Sequence, residues 1–427
     1  MKRQLRIAIK PNQWIFTVAL ALPGFIHFAH GVEQASSIAP PPPAKGCVRI
    51  AMFNVALNRK ENGQLVRDLK AGDEQAKRIA TIVQLVAPDV LLANEVDYSE
   101  GEAATLLRDL YLLKSQSGAP NAPQKAPPNA LVHLYSAPVN TGVNSGMDLN
   151  ANGRSTDSDD GWGYGAFPGQ YGMAVYSRFP ISGGEARSFQ LFRWSEMPNA
   201  KRPKLVDKAT GEEKYFHSDE VWKKLRLSSK SHWDIPIQIE GKTLHVIASH
   251  PTPPVFDGLE DRNGCRNHDE IRLIRDYVSG TDDGNYIVDD SGKKGTLSAQ
   301  SNFVILGDLN SDPKDGSGLS QGIIDLLSSK RVLSDFVPAS EGAIEASKLQ
   351  GKANLKHKGN PANDTGDFND NEPGNLRIDF VLPSSNCKVR NGGVFWPTAE
   401  QLKGIDPKLG DASDHHLVWL DIELGSE

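Results

Sequence analysis

Cysteine is nearly absent: the 427-residue chain has three. Their spacing suggests no zinc site, and an odd count permits one internal bridge at most. Charge of one sign is not in excess. The 47 Lys+Arg stand against 53 Asp+Glu, a net −6, which argues against a protein that coats nucleic acid through general basicity. Apart from an interrupted stretch at the N-terminus, no apolar run reaches the roughly 18–20 residues of a membrane span. No internal repeat is visible. At 38% hydrophobic and 23% charged the composition is that of a folded globular protein, which excludes whole-chain disorder and fibrous classes.

The N-terminus carries an export pattern. Lys2, Arg3, Arg6 and Lys10 precede a mostly apolar stretch from Trp14 to Ala29, and Ala29, Gly31 and Ala35 are small residues suited to cleavage. Pro23 and His27 interrupt the run, which suits a removable signal better than an anchor. Residues 1–35 are therefore expected to be a signal peptide and 36–46, with Pro40 to Pro43, an extended linker. Residues 47–427 are expected to be a single catalytic domain, secreted or periplasmic, with insertions at 114–170 and 185–233 and no membrane span after cleavage. Removing the signal's four bases and Glu33 leaves a net charge of −9. Cys47 opens one predicted strand and Cys387 follows another, so they are the candidate bridge, with connectivity left open.

Apolar patterning places strands at 48–55, 89–96, 173–178, 234–239, 243–249, 302–309, 376–382 and 415–424, with a tight turn at Glu240-Gly241-Lys242. Ile79, Ile82, Val83 and Val86 recur at helical spacing, predicting a helix over 73–87, and two more fall at 102–113 and 268–278. Asn267 is the predicted N-cap of the last. Strands alternate with helices but include hairpins, so an α/β fold with mixed sheets is expected.

Several strands end in acids, amides or imidazoles: Asn54, Asn94-Glu95, His250, Asp308 with Asn310, Asp379, and Asp414-His415. A carboxylate beside Ile, Leu or Val must be paired, metal-bound or solvated in a cleft. Carboxylates with an amide and few bases suit a hard divalent cation, Mg²⁺ or Mn²⁺, and two histidines can serve as base and acid near neutrality. These are parts for hydrolysing a phosphoester.

In that order, with Gly307-Asp308-Leu309-Asn310 and the terminal Ser413-Asp414-His415, the residues resemble the endonuclease/exonuclease/phosphatase superfamily. The resemblance spans 47–424. It implies a four-layer α/β sandwich, two mostly antiparallel mixed sheets face to face with helices outside, and a site at one sheet edge. It further implies that Glu95 holds the metal with Asn54 and Asp414 nearby. Asp308 and Asn310 would orient the attacking water and a phosphate oxygen. His415, oriented by Asp379, would face the phosphorus, and His250 would stabilise or protonate the leaving oxygen. Two positions depart from the pattern: Ala56 where the abasic-site enzymes carry an aspartate, and Asn94-Glu95 for Gln-Glu. Deoxyribonuclease I supports its first histidine with a Glu, and the comparable stretch here, Gln170-Tyr171-Gly172, offers none.

Arg262 and His268, in the polar stretch after His250, are candidate contacts for substrate phosphate. Asp148, Asn150, Asn152, Gly153, Arg154 and Asp159 fall at the spacing of a Ca²⁺ loop, though without flanking helices and with Asp at the twelfth position. Residues 193–230 hold ten bases and six acids interleaved with Trp194, Tyr215, Phe216 and Trp222. They form either an anion-binding wall or a surface excursion packed through its own aromatics. The expected partner is a phosphoester: a small molecule, a lipid headgroup or nucleic acid. No stable protein partner is evident. The leading reading is a secreted phosphoesterase leaning toward small or terminal phosphoesters. A secreted endonuclease acting on DNA or RNA and a non-catalytic binding protein on the same scaffold are the alternatives.

Overall fold

Among the residues that the computed structural model describes, 38–116, 131–403 and 405–426, the apolar runs become strands and the helical periods helices. The predicted signal peptide lies outside them. In chain order the first elements are β1 (Val48–Leu57), α1 (Gln64–Ala71), α2 (Glu74–Val86), β2 (Val90–Val96), α3 (Glu102–Leu107), β3 (His133–Tyr135) and β4 (Met173–Ser177). Next come β5 (Arg187–Ser188), β6 (Lys204–Val206), β7 (Glu213–Tyr215), α4 (Asp219–Trp222), β8 (His232–Ile239), β9 (Lys242–Ser249) and α5 (Arg262–Val278). The last are β10 (Asn302–Asp308), α6 (Gln321–Leu327), α7 (Glu341–Gln350), β11 (Asp379–Pro383), β12 (Lys388–Phe395) and β13 (Leu417–Glu423).

One large sheet has the order β12-β13-β1-β2-β4-β3 and the other β11-β10-β9-β8-β5, while β6 and β7 pair apart from both. Each large sheet is antiparallel except for one parallel pair, β1 with β2 and β9 with β10. Alternation along the strands builds the layers. Ile50, Met52, Val90 and Leu92 face Ile235, Val246, Val304 and Leu306 in the core between the sheets. On the opposite faces, Ala51, Phe53, Leu91 and Ala93 pack on Leu65, Ile79, Val83 and Leu107 of the first helices. Ile247, Phe303 and Ile305 likewise pack on Ile271, Ile274, Ile323 and Leu326. The result is the helix–sheet–sheet–helix sandwich.

Three sequence expectations change. The helix predicted from 268 begins at Arg262, with Asp261 as N-cap, and Asn267 lies buried inside it. Its polar first turns stay helical because Asp257 and Asp261 accept from the Asn263 and Cys265 amides. The 36–46 linker is docked from its first described residues. Ile38 and Ala39 pack on the core, and Pro41 O accepts from Arg49 at 2.6 Å. All three cysteines are free. β13 separates β1 from β12, so Cys47 and Cys387 are held about two strand spacings, roughly 9–10 Å, apart, beyond the reach of a disulfide. The α1, α6, α7 and β12 segments carry too few or too interrupted apolar positions to have been read from sequence.

His232 opens β8 and is buried, its Nδ1 2.6 Å from Ser228 Oγ. Burial, partly offset by Glu270, lowers its pKa to about 4. The unfolded chain binds this proton near the ordinary value of about 6.5. Stability from the neutral ring is therefore complete above that pH and is lost as pH falls toward 4, by about 3 kcal/mol. Urea unfolding should show wild type losing this much relative to His232→Gln between pH 6.5 and 4. Parallel pH curves for the two proteins would contradict it.

Candidate active site

Strand register assembles the site. Parallel pairing sets Ala248 beside Leu306, and two residues further each chain delivers His250 and Asp308. The approach is close: a Cβ on Gly307 would lie 2.4 Å from Ser249 O, so only glycine fits. The antiparallel ladder of β10 and β11 sets Asp308 directly opposite Asp379. Asn54 pairs with Asn94, after which the β1–β2 register shifts. Ala56, Glu95 and Asn310 adopt left-handed backbone, with φ of 47°, 62° and 51°. Such conformations cost about 1–3 kcal/mol each and persist where surrounding contacts over-determine them.

The side chains then meet. Asn54 Nδ2 donates to Glu95 Oε1 and Asp308 Oδ2, each at 3.1 Å, and lies 3.5 Å from His415 Nε2. Asn58 holds the other Glu95 oxygen at 2.7 Å. His250 Nε2 is 3.4 Å from Asp308 Oδ2 and 4.0 Å from Glu95 Oε1. His415 Nδ1 donates to Asp379 Oδ2 at 2.9 Å, and the Thr365 hydroxyl donates to the same oxygen at 2.7 Å. His415 Nε2 faces Asp308 Oδ2 at 3.7 Å. Asn310 gives its backbone N–H to Asp308 Oδ1 and its amide to Pro251 O. All of these catalytic-type side chains are buried except those of Glu95, 21% exposed, and Asn310, also part-buried.

Three acids and two imidazoles in so little space bias one another. Burial alone would raise the Asp308 carboxyl, but the His415 charge and the His250 contact hold it well below the usual range. Burial raises Asp379 despite its bond to His415. Burial opposes charging His415, yet Asp379 and Asp308 lift its pKa well above the ordinary value. Among the described residues, Asp308, Asp379 and His415 are the one group of such side chains whose atoms all lie within 4.8 Å of one another. Because Asp379 and His415 spend their facing atoms on each other, hard-oxygen donation falls mainly to Glu95 and Asp308.

Other expected site residues lie apart. Asp414 is exposed, and its carbonyl accepts from Asp367 N, although its charge reaches His415. Arg262 pairs with Glu260 at 2.5 Å and Asp159 at 3.6 Å, and His268 is buried against Asp269 at 2.9 Å. In the 148–159 loop, Asp148 accepts from the Asn152 and Gly153 amides. Asn150 Oδ1 accepts from Asn152 N, and Asn152 Oδ1 from Arg154 N. The Asn150 and Asn152 amides both turn to Asp157 rather than to Asp159.

Several contributors have a role that sequence reasoning did not assign. Asn94, buried between the sheets, accepts from Asp308 N at 3.1 Å and pins one sheet's carboxylate to the other sheet. Lys230 reads from sequence as one of the insertion's ten bases. It is 6% exposed, and burial lowers its pKa against the pull of Glu270, Glu95 and Asp308. Only the apolar strand that follows it hints at burial. Glu270 and Asn267 of α5 also bond the site loops, at Thr252 and Leu309.

The endonuclease/exonuclease/phosphatase family model matches residues 53–415. No curated protein matches the chain. Among solved structures, an endonuclease/exonuclease/phosphatase from Beutenbergia cavernae is 18% identical, with TM-score 0.47, covering 90% of this chain and 72% of that one. Sphingomyelinase C from Streptomyces griseocarneus is 12% identical, with TM-score 0.41, covering 88% and 99%. A beta toxin variant from Staphylococcus aureus with bound magnesium ions is 14% identical, with TM-score 0.41 and the same coverage. Members of the matched family generally hydrolyse phosphoesters, using divalent metals. With the family match running from the first site strand to His415, the chain belongs to the endonuclease/exonuclease/phosphatase family.

Proposed function

We propose that this chain is an exported phosphoester hydrolase that works with a divalent cation, Mg²⁺ or Mn²⁺. The reading is carried by the convergence of Asn54, Glu95, His250, Asp308, Asp379 and His415 from both sheets into one hydrogen-bonded cluster. The donor chemistry fits the cation: Glu95 is a part-open carboxylate oriented by two amides, with Asp308 beside it and Asp414 at the rim. Bound there, the cation would polarise a phosphoryl oxygen and offset its charge. Asp308 and Asn310 orient the attacking water and a phosphate oxygen. Asp379 fixes a proton on His415 Nδ1, turning Nε2 toward the phosphorus. His250 gives a proton from Nε2 to the leaving oxygen. Calcium in the 148–159 loop is a separate question, answered by melting metal-stripped protein with and without Ca²⁺.

The substrate is proposed to be small or terminal rather than a long duplex. The 193–230 segment neutralises much of its own charge: Arg193, Arg202, Lys204 and Lys224 pair with Glu196, Asp219, Glu213 and Glu220. Arg202 also lies over Tyr215 at 4.1 Å, and Trp194 packs on Trp222 at 5.0 Å. Four of the segment's ten bases are thus held by its own acids and less free to follow a duplex backbone. EDTA should abolish activity and added Mg²⁺ or Mn²⁺ restore it; full turnover in stripped protein would remove the metal reading. Phosphomonoesters, sphingomyelin and plasmid DNA should be compared. Duplex binding through six or more phosphates loses roughly 10³-fold in affinity between 50 and 200 mM salt. Plasmid nicking with that slope and no small-substrate turnover would make the chain an endonuclease. No turnover of any substrate would favour a binding protein.

A further inference from the structure

His250 meets Asp308 through Nε2, but no side chain holds its other ring nitrogen. Its Nδ1 is buried and makes no hydrogen bond, and Gln170, in the stretch where deoxyribonuclease I offers a carboxylate, binds Arg59 O and Ala166 N instead. A ring free at one nitrogen must be aimed by its backbone, and here the backbone is clamped at every residue. Ser229 Oγ reaches His250 O at 3.4 Å, and Asn310 Nδ2 reaches Pro251 O at 3.2 Å. Thr252 N donates to Glu270 Oε2 at 2.7 Å, and Thr252 O accepts from Asn267 Nδ2 at 2.9 Å. The other Glu270 oxygen accepts from Ser229 N at 2.7 Å, and the same Asn267 nitrogen donates to Leu309 O at 2.9 Å.

We infer that Glu270, with Asn267 one helical turn before it on α5, is the positioning device for His250: a carboxylate acting through backbone amides rather than through the imidazole. Spacing of i and i+3 puts both side chains on one helix face, and both are fully buried. Glu270 ties the strand entry at Ser229 to the loop at Thr252. Asn267 ties that loop to the residue after Asp308. Three chain segments, at Ser229, Thr252 and Leu309, are thus fixed to one helix. This is what a proton donor needs, because small displacements from the productive geometry cost about 10²-fold.

The inference rests on the reading of His250 as leaving-group acid, and the experiment separates the two. As the bond from phosphorus to the leaving oxygen breaks, water supplies the new oxygen on phosphorus and gives up a proton to Asp308, while the Nε2 proton of the His250 imidazolium passes to the leaving oxygen and leaves the ring neutral. A 4-nitrophenolate needs that proton little, whereas an unsubstituted phenolate needs it more. In the metal-loaded enzyme, kcat is measured on matched phenyl and 4-nitrophenyl phosphoesters for wild type, His250→Ala, Glu270→Gln and Asn267→Ala, with circular dichroism on each. Glu270→Gln should lower kcat on the phenyl ester by about 10- to 100-fold while sparing the 4-nitrophenyl ester, as His250→Ala does more strongly. Lost folding or a smaller folded fraction would lower both esters together. If His250→Ala shows no leaving-group bias, the reading of His250 fails. If it shows the bias but the folded Glu270→Gln protein lowers both esters equally or neither, the positioning role is overturned. Should Glu270→Gln not fold, Asn267→Ala decides by the same ratio.

Discussion

His415→Ala should lower kcat at least about 10²-fold with the fold intact by circular dichroism. The imidazole stands where three demands meet. Asp379 holds its Nδ1 at 2.9 Å, Asp308 lies 3.7 Å from its Nε2, and Asn54 approaches to 3.5 Å. No neighbouring imidazole can take its place, since His250 approaches Asp308 from its own strand, at 3.4 Å. Asp308→Asn should cost a similar factor, because the amide cannot present an anion to both imidazoles. Groups that act as a unit are not additive, so His415→Ala combined with Asp379→Asn should cost little more than His415→Ala alone. A near-normal kcat in folded His415→Ala protein would place the chemistry elsewhere.

Asp421→Ala should destabilise the fold by about 3–5 kcal/mol, the cost of leaving a buried charge unpaired. Arg49 and Asp421 are each 1% exposed on adjoining strands β1 and β13. The pair is bidentate, Nε to Oδ1 at 2.7 Å and Nη2 to Oδ2 at 2.9 Å. The guanidinium lies 4.2 Å from the Trp419 ring centroid and also donates to Val86 O and Pro41 O. Removing the carboxylate leaves the cation with two carbonyls and the Trp419 ring but no counter-charge in contact. Replacing both, Arg49→Met with Asp421→Leu, should recover much of the loss, because the desolvation of both charges disappears together. The check is the urea midpoint at constant m-value; a shift under about 1 kcal/mol in Asp421→Ala, the range of exposed pairs, would show that Arg49 re-solvates.

The local pattern of this protein was legible where its signal is periodic. Residues 48–55 and 302–309 read as strands because both their faces are buried, which leaves long apolar runs. The helix at 73–87 read from its 3.6 period, and Asp73 does cap it through Ala76 N at 2.7 Å. That Asn54, Glu95, His250, Asp308 and His415 stand at strand ends was likewise visible, since a polar residue closing an apolar run needs no partner to be noticed. Tertiary structure decided which of these meet, and with what support. Asp308 and Asp379 face each other only through the β10–β11 register. Asn94 reaches Asp308 across 214 residues of chain. Cys47 and Cys387 flank two strands of one sheet, yet β13 runs between them. Glu270, Asn267 and Lys230 looked like ordinary polar residues of a helix and a loop, because what sets them apart is burial against backbone amides and carboxylates far along the chain. Sequence alone determined most of the long core strands and which side chains would stand at their ends, because alternation and apolar runs are local. Register, burial and the clamp on His250 were left to the tertiary structure, because they depend on contacts between segments that no local pattern encodes.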